Sequence, residues 1–332
     1  MTEISKNSVI HTLITENEGG QRLDNLLFKQ CKGVPKSHVY TVVRSGQVRV
    51  NGRRADVAYR LQVGDVLRIP PMRVAAASLA QAATSGAEMK LRLPVLYEDE
   101  ALLIVDKPAG VAVHGGSGES FGVIEALRRQ RPQARFLELA HRLDRETSGI
   151  LLLGKKRSAL LALHRMFREG GQGGASGAAD KRYQVLVCGR WLEPLRHVRL
   201  PLVKFLLSSG ERRVRVADDG RAAHTVFRLL ARWDRFSLLE AELRTGRTHQ
   251  IRVHLAHLGF PVAGDEKYGD FAANRALARE GLKRMFLHAW QIGFPHPVDG
   301  RRMAVQAPLP AALARFLELL STPESLAYGR SV

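Results

Sequence analysis

The stretch His141-Arg142-Leu143-Asp144-Arg145-Glu146-Thr147-Ser148-Gly149, running on into Ile150-Leu151-Leu152-Leu153-Gly154-Lys155, decides how this 332-residue chain is read. An uninterrupted apolar run bounded by glycines reads as a buried strand. Asp144 therefore falls in the loop that enters that strand, with an arginine on each side. A nearby cation favours the charged form of a carboxylate, so Arg142 or Arg145 is expected to hold Asp144 ionised. On residue types alone the plainer reading leads, an ion-paired loop acid that stabilises a turn.

On the N-terminal side of this stretch, Leu96 to Val105 alternates toward a strand, Asp106-Lys107-Pro108-Ala109-Gly110 turns, and Val111 to His114 resumes the strand. Gly115-Gly116-Ser117-Gly118 is a flexible turn and lacks the GxxxxGK[ST] order of a phosphate cradle. Helices are expected from Phe121 to Arg129 and from Ser158 to Phe167. Between Gly170 and Ala179 the text is mostly Gly, Ala and Ser, which predicts a mobile loop. Strands follow at Tyr183–Val187, Val214–Val216, His224–Leu230 and Phe236–Leu243. Short strands in sequence with few helices predict an α+β domain on a mainly antiparallel sheet.

Three further strings in this region are candidates for chemistry. Thr245-Gly246-Arg247-Thr248-His249-Gln250-Ile251-Arg252-Val253-His254 has the apolar spacing of a helix beginning near Thr248. A helix N-terminus with free N–H groups and two arginines, Arg247 and Arg252, is a natural anion site. Its histidines, His249, His254 and His257, lack the HExxH spacing and a nearby acidic ligand, so no metal site is expected. Lys181-Arg182-Tyr183 precedes a strand, where a tyrosine is ordinarily a half-buried packing residue. Phe286-Leu287-His288-Ala289-Trp290, with Phe294-Pro295-His296-Pro297, reads as a core strand and turn.

The N-terminal third is different text. Residues 1–18 are polar and expected to be a tail. Arg22 to Phe28 has helical spacing; Pro35 opens a second helix with Val39, Val42 and Val43 inward, and Gly46 closes it. Val48-Arg49-Val50 alternates, Asn51-Gly52 signals a hairpin, and Val66-Leu67-Arg68-Ile69 is a further strand. Lys36, Arg44, Arg49, Arg53 and Arg54 crowd into this span, and clustered cations contact phosphate without reading bases. Residues 71–90 are rich in Ala and Ser and read as a linker. The expected organisation is a tail over 1–18, a small domain over 19–70, that linker, a larger domain over 91–320 and a tail over 321–332.

Lys and Arg outnumber Asp and Glu by 51 to 32, a formal net charge of +19. Such an excess favours a polyanionic partner. A membrane is not that partner: the longest apolar runs fall far short of the ~20 residues of a spanning helix, and the first residues lack the apolar core of a signal peptide. The two cysteines, Cys31 and Cys188, form no CxxC pair; a reducing, cytoplasmic location is expected.

HRLDRETSG closely resembles the signature of the RluA-type pseudouridine synthases. The strings at Asp106–Gly110, Lys181–Tyr183, Thr245–His254 and Phe286–Trp290 stand in that family's order and rough spacing. The resemblance thus covers nearly all of residues 91–310. Residues 20–70 resemble an S4-type RNA-binding domain, on Arg22-Leu23-Asp24, Ser45 to Gly52 and Val63-Gly64-Asp65. Val34–Ser37, His114–Gly118 with Phe121–Glu125, and Phe136–Leu139 are similar to members that act on large-subunit ribosomal RNA. One departure is that the glycine-rich segment before Lys181 is longer than the family pattern.

The resemblance implies isomerisation of uridine to pseudouridine within RNA by a monomer, with no cofactor and no metal. It implies that Asp144 is the catalytic carboxylate and leaves open whether it attacks the sugar or the base or removes a sugar proton. It further implies that Arg252 pairs with Asp144, that Tyr183 stacks on the target base, and that Arg142 fills the gap left by the extruded uridine. Arg247 and His249 are expected to contact substrate, and the five cations of the N-terminal domain to contact ribosomal RNA. Three alternatives stand beside this: an inactive RNA-binding protein of the same fold, the same chemistry on transfer RNA or another ribosomal site, and a nucleosidase or glycosidase. The last usually needs two cooperating carboxylates, and Glu146 is the only near candidate.

Overall fold

The computed structural model describes residues 8–31, 34–72, 91–115, 121–169, 179–320 and 322–324. Nearly all of the expected linker, the glycine-rich loop before Ala179, three residues of the Gly115–Gly118 turn and most of the C-terminal tail lie outside the described residues. The chain divides into two compact units at Lys90/Leu91.

In the first unit, α1 (Leu23–Gln30) and α2 (Lys36–Arg44) pack on a four-stranded sheet of order β1-β4-β2-β3, where β1 is Ile10–Leu13, β2 Arg49–Val50, β3 Arg53–Arg54 and β4 Val66–Ile69. Leu23, Leu26 and Leu27 meet Val39, Val42 and Val43 because i, i+3, i+4 spacing puts each set on one helix face. Asn51 (φ 51°) and Gly52 (φ 75°) make the tight turn between β2 and β3. Part of the polar-tail expectation is corrected, since residues 10–13 are a strand paired with β4. Its side chains are alternately exposed and half-buried, and four residues of that pattern are too few to separate an edge strand from a tail.

Lys36, Arg44, Arg49, Arg53 and Arg54 are all exposed. The antiparallel register sets Arg54 opposite Arg49, Arg49 opposite Arg68 and Arg68 opposite His11, a cationic row across one face of the sheet. Arg54, Arg49 and Arg68 donate to the carbonyls of Ser45, Gly46 and Gln47, just beyond the end of α2.

The second unit is built on a ten-stranded, mainly antiparallel sheet whose main path is β10-β13-β14-β9-β15-β8-β6-β5. These strands are β5 (Val95–Glu98), β6 (Leu102–Lys107), β7 (Glu138–Leu139), β8 (Ser148–Gly154), β9 (Asp180–Cys188), β10 (Leu195–Val198), β13 (Thr225–Arg232), β14 (Phe236–Leu243), β15 (Leu287–Pro295) and β16 (Arg302–Gln306); β7 pairs with β8 and β16 with β15. A separate hairpin joins β11 (Leu202–Leu206) and β12 (Arg212–Val216). The apolar run of β8 is uninterrupted because both of its faces are covered. Leu151 and Leu153 enter the core that holds α3 (Val123–Gln130) and α5 (Gln250–His257), while Ile150 and Leu152 enter the one that holds α4 (Arg157–Glu169). Two last helices, α6 (Phe271–Arg279) and α7 (Ala311–Leu319), cover Leu186 and Phe286.

Two strand expectations are corrected. Leu96–Val105 is an antiparallel pair, broken where Asp99 Oδ1 accepts the N–H groups of Ala101 and Leu102, a turn carried by a side chain with no glycine or proline to announce it. Asp106 and Lys107 belong to β6, and Val111–His114 is not a strand. The one parallel strand pairing among the described residues, β15 with β8, sets Ala289 beside Gly149. Gly149 has φ +110°, and a Cβ there would lie 2.2 Å from the Ala289 carbonyl oxygen, so no other residue fits without moving the pair.

Candidate active site

Asp144 lies in the loop before β8, and this loop is braced from behind by the turn at the end of β6. Lys107 is fully buried, and its ammonium donates to the carbonyls of Pro108, Val111 and Arg145. Burial pulls that ammonium down to about 7. Gly110 and Arg145 close the contact reciprocally: Gly110 N–H donates to the Arg145 carbonyl, and Arg145 Nε to the Gly110 carbonyl. Inside the loop, Thr147 N–H donates to the Asp144 carbonyl. His141 Nε2 accepts the N–H of Leu152. Asp144 is thus fixed by backbone contacts on both sides, with its carboxylate 17% exposed.

The cation that meets it comes from far along the chain. Arg252 on α5 donates from Nη1 to Asp144 Oδ2 at 3.1 Å. The expectation that Arg142 or Arg145 pairs with Asp144 is corrected: Arg142 is exposed at the pocket wall, and Arg145 lies 3.5 Å from Glu146 while bonding Gly110. The turn that Thr147 closes on the Asp144 carbonyl leaves both neighbouring arginines exposed, whereas α5 brings the Arg252 side chain to the carboxylate. Arg252 is itself buried and held by Asp265, with Nε–Oδ2 at 2.7 Å and Nη2–Oδ1 at 2.8 Å. A two-pronged pair of this kind fixes the guanidinium plane and leaves Nη1 for Asp144. Burial alone would lower Arg252 and raise Asp265. The pair outweighs it, so Arg252 sits above its ordinary value and Asp265 below the usual carboxylate range, helped by the N–H groups of Lys267 and Tyr268.

Asp144, Tyr183, Arg252, Arg142, Arg247 and His249 all line one open cavity of about 590 Å³. Tyr183 is buried on β9, directly across from Ala241 of β14 and Ala289 of β15. Two alanines as its same-face neighbours leave room beside the ring. Burial, and then the charge of Asp144, push the phenol above its ordinary value. Arg247 is exposed, with its Nε on the Ala222 carbonyl. His249 precedes α5 with left-handed backbone (φ 53°) and brings Nε2 to 3.8 Å from Asp144 Oδ1. The anion-site reading of this helix start is corrected in part: the Arg247 N–H is taken by Gln250 Oε1, and Arg252 is committed to two carboxylates.

Reasoning from sequence missed four residues here. Asp265 and Tyr268 lie in a segment that offered no pattern of its own. Lys107 stood in a string that was read as a plain turn. Lys181 shares a strand face with Tyr183 and lines the cavity, its ammonium 5.3 Å from the centre of the Phe167 ring; burial brings it down to about 8. The alternation of Lys181 and Tyr183 along a strand could have found it. Among the described residues, no group of three His, Cys, Asp or Glu side chains is placed to hold a metal, and no helix is long and apolar enough to cross a membrane.

Residues 101–257 match the family model described as RNA pseudouridylate synthase, and residues 21–67 match that of the S4 domain. The ribosomal large subunit pseudouridine synthase C of Pasteurella multocida is 48% identical over 313 residues, covering 94% of this chain and 94% of that protein. The protein of the same name from Escherichia coli K12 is 48% identical over 318 residues, covering 94% and 97%. Among solved structures, human RNA Pseudouridylate Synthase Domain Containing 1 shares the fold, with a TM-score of 0.58 at 24% identity, over 73% of this chain and 92% of that one. Identity at this level over nearly the full length of both chains, on a shared fold, means that the chain belongs to the RNA pseudouridylate synthase family and is an RNA pseudouridine synthase with an S4 domain at its N-terminal end.

Proposed function

We propose that this enzyme converts particular uridines of large-subunit ribosomal RNA to pseudouridine in the cytoplasm, acting as a monomer with Asp144 as its catalytic carboxylate and with no metal or cofactor. The observation that carries the reading is the Asp144–Arg252 pair, set in one cavity with Tyr183 in a chain that is 48% identical to synthases named for that RNA. The N1–C1′ bond breaks, the base turns within the pocket, and a C1′–C5 bond forms. C5 then loses its proton and N1 gains one, so no oxidant or group donor is consumed. Arg252 supplies the positive charge beside the carboxylate, held in place by Asp265. Tyr183, whose phenol stays protonated, stacks on the base and offers a hydrogen bond. Arg142 fills the space left in the RNA, since a stacked base must be extruded at a cost of about a few kcal/mol. Arg247 and His249 contact the nucleotide at the cavity mouth, and Lys36, Arg44, Arg49, Arg53 and Arg54 dock phosphates.

The test is incubation with protein-free large-subunit ribosomal RNA, followed by carbodiimide treatment and primer extension. Asp144→Asn is expected to lose the pseudouridine stops while keeping RNA affinity within about 3-fold, because its charge serves chemistry rather than docking. Stops that persist in Asp144→Asn would remove Asp144 from the catalytic role. Stops that appear only on transfer RNA would redirect the substrate.

A further inference from the structure

Tyr268 touches both side chains that stand beside the Asp144 carboxylate, His249 and Arg252. Its ring lies edge-on to His249, with centroids 5.4 Å apart, and carries the Arg252 guanidinium over its face at 5.1 Å. Its hydroxyl makes two contacts of different sense. Val214 N–H donates to the oxygen at 3.1 Å, and His249 Nδ1 lies 2.7 Å away. A backbone N–H only donates, so the phenol proton is free to go to His249. Nδ1 is then an acceptor, and in a neutral ring the single proton must sit on Nε2. Nε2 is the atom that faces Asp144 Oδ1, at 3.8 Å. That is too long for a direct hydrogen bond, so the N–H is presented across a gap that a nucleotide atom can enter.

We propose that Tyr268 is a positioning residue that locks His249 in its Nε2–H form, so that His249 donates a hydrogen bond to the uracil as it leaves C1′. This rests on the reading of Asp144 as the catalytic carboxylate. When the N1–C1′ pair departs with the base, negative charge spreads over N1 and the ring oxygens. A neutral imidazole donor stabilises that charge without protonating N1, which must stay unprotonated for C5 to attack C1′. Burial lowers His249 to about 4, so the ring is neutral near pH 7 despite Asp144. The groups around it act in both senses: Asp144 and Asp265 favour the imidazolium, while Arg252 and Lys267 oppose it. Its left-handed backbone, one of two positive φ values outside glycine among the described residues, fixes the ring where Tyr268 can reach it.

The experiment is long-range 15N–1H correlation on the 15N-histidine-labelled full chain at pH 7, with His249 assigned by its absence in His249→Gln. An Nε2–H pattern in the wild type, lost in Tyr268→Phe, supports the assignment; an Nδ1–H or doubly protonated ring in the wild type overturns it. On ribosomal RNA, Tyr268→Phe should lower kcat on the order of 10-fold with KM nearly unchanged. The same substitution in a His249→Gln background, where no tautomer exists, should have no further effect. An equal loss in both backgrounds would mean that Tyr268 only supports the fold. The spectroscopic arm needs no turnover. It therefore stands apart from any failure of the proposed substrate.

Discussion

At the scale of single residues, the site depends on a buried carboxylate that is not part of the cavity wall. Asp265 is buried and gives both oxygens to Arg252, so Asp265→Asn leaves a buried guanidinium with Asp144 as its remaining counter-charge. Removing one partner of a buried pair costs about 3 kcal/mol or more. In a unit of this size a thermal melt should fall by roughly 10 °C, and an unchanged midpoint would mean that Asp144 alone satisfies Arg252. The loop position of Asp144 ahead of β8 was legible from the apolar run, but residue types alone left it a plain ion-paired acid, and only the family likeness singled it out. Arg252 was legible only through family likeness: nothing local ties residue 252 to residue 144, and of the local candidates Arg142 is exposed at the pocket wall and Arg145 bonds Gly110. Asp265 and Tyr268 were not legible, since their role exists only where three distant segments meet.

At the scale of elements, β8 and β15 form the joint that places the Asp144 loop. Gly149→Ala combines an unfavourable φ with a Cβ 2.2 Å from the Ala289 carbonyl. It should destabilise the second unit by at least about 3 kcal/mol, read as a shifted denaturant midpoint with unchanged slope. A midpoint equal to wild type would show that β15 can shift to make room. Most helices and strands were readable from period alone: α1, α2 and α4 from their apolar spacing, β8 from its continuous run, and the β2–β3 turn from Asn51-Gly52. The helices Phe271–Arg279 and Ala311–Leu319 went unread although Asp270 and Pro310 mark their starts, whereas two other failures share a cause. β1 is a short edge strand, and the β5–β6 break is made by the Asp99 side chain, so neither carries glycine, proline or a long period to mark it.

At the scale of the whole molecule, charge and pH are the levers. Without residues 1–90 the chain loses the five exposed cations of the first unit. If each meets a phosphate, the slope of log affinity against log salt should flatten by roughly 4; an unchanged slope would place RNA docking elsewhere. His254 and His288 are wholly buried, and burial lowers each to about 4. Unfolded, they take up protons near 6.5. The unfolded state therefore binds more protons between those values, and stability present above about 6.5 is lost as pH falls toward 4, by on the order of a few kcal/mol. Urea melts at pH 7 and 4.5 with the same midpoint would contradict this. A last consequence follows from β15, the strand that links β9 to β8 within the large sheet. It ends at Pro295 and is made well after β8, β9 and α5 as the protein is translated. A nascent chain that has emerged only through α5 already contains Asp144 and Arg252, but the seam that draws β8 and β9 together is still inside the ribosome. The growing polypeptide thus stays without the seam behind the Asp144 loop until β15 has emerged, while the strands and helices of its basic first unit, all made by residue 69, emerge well before it.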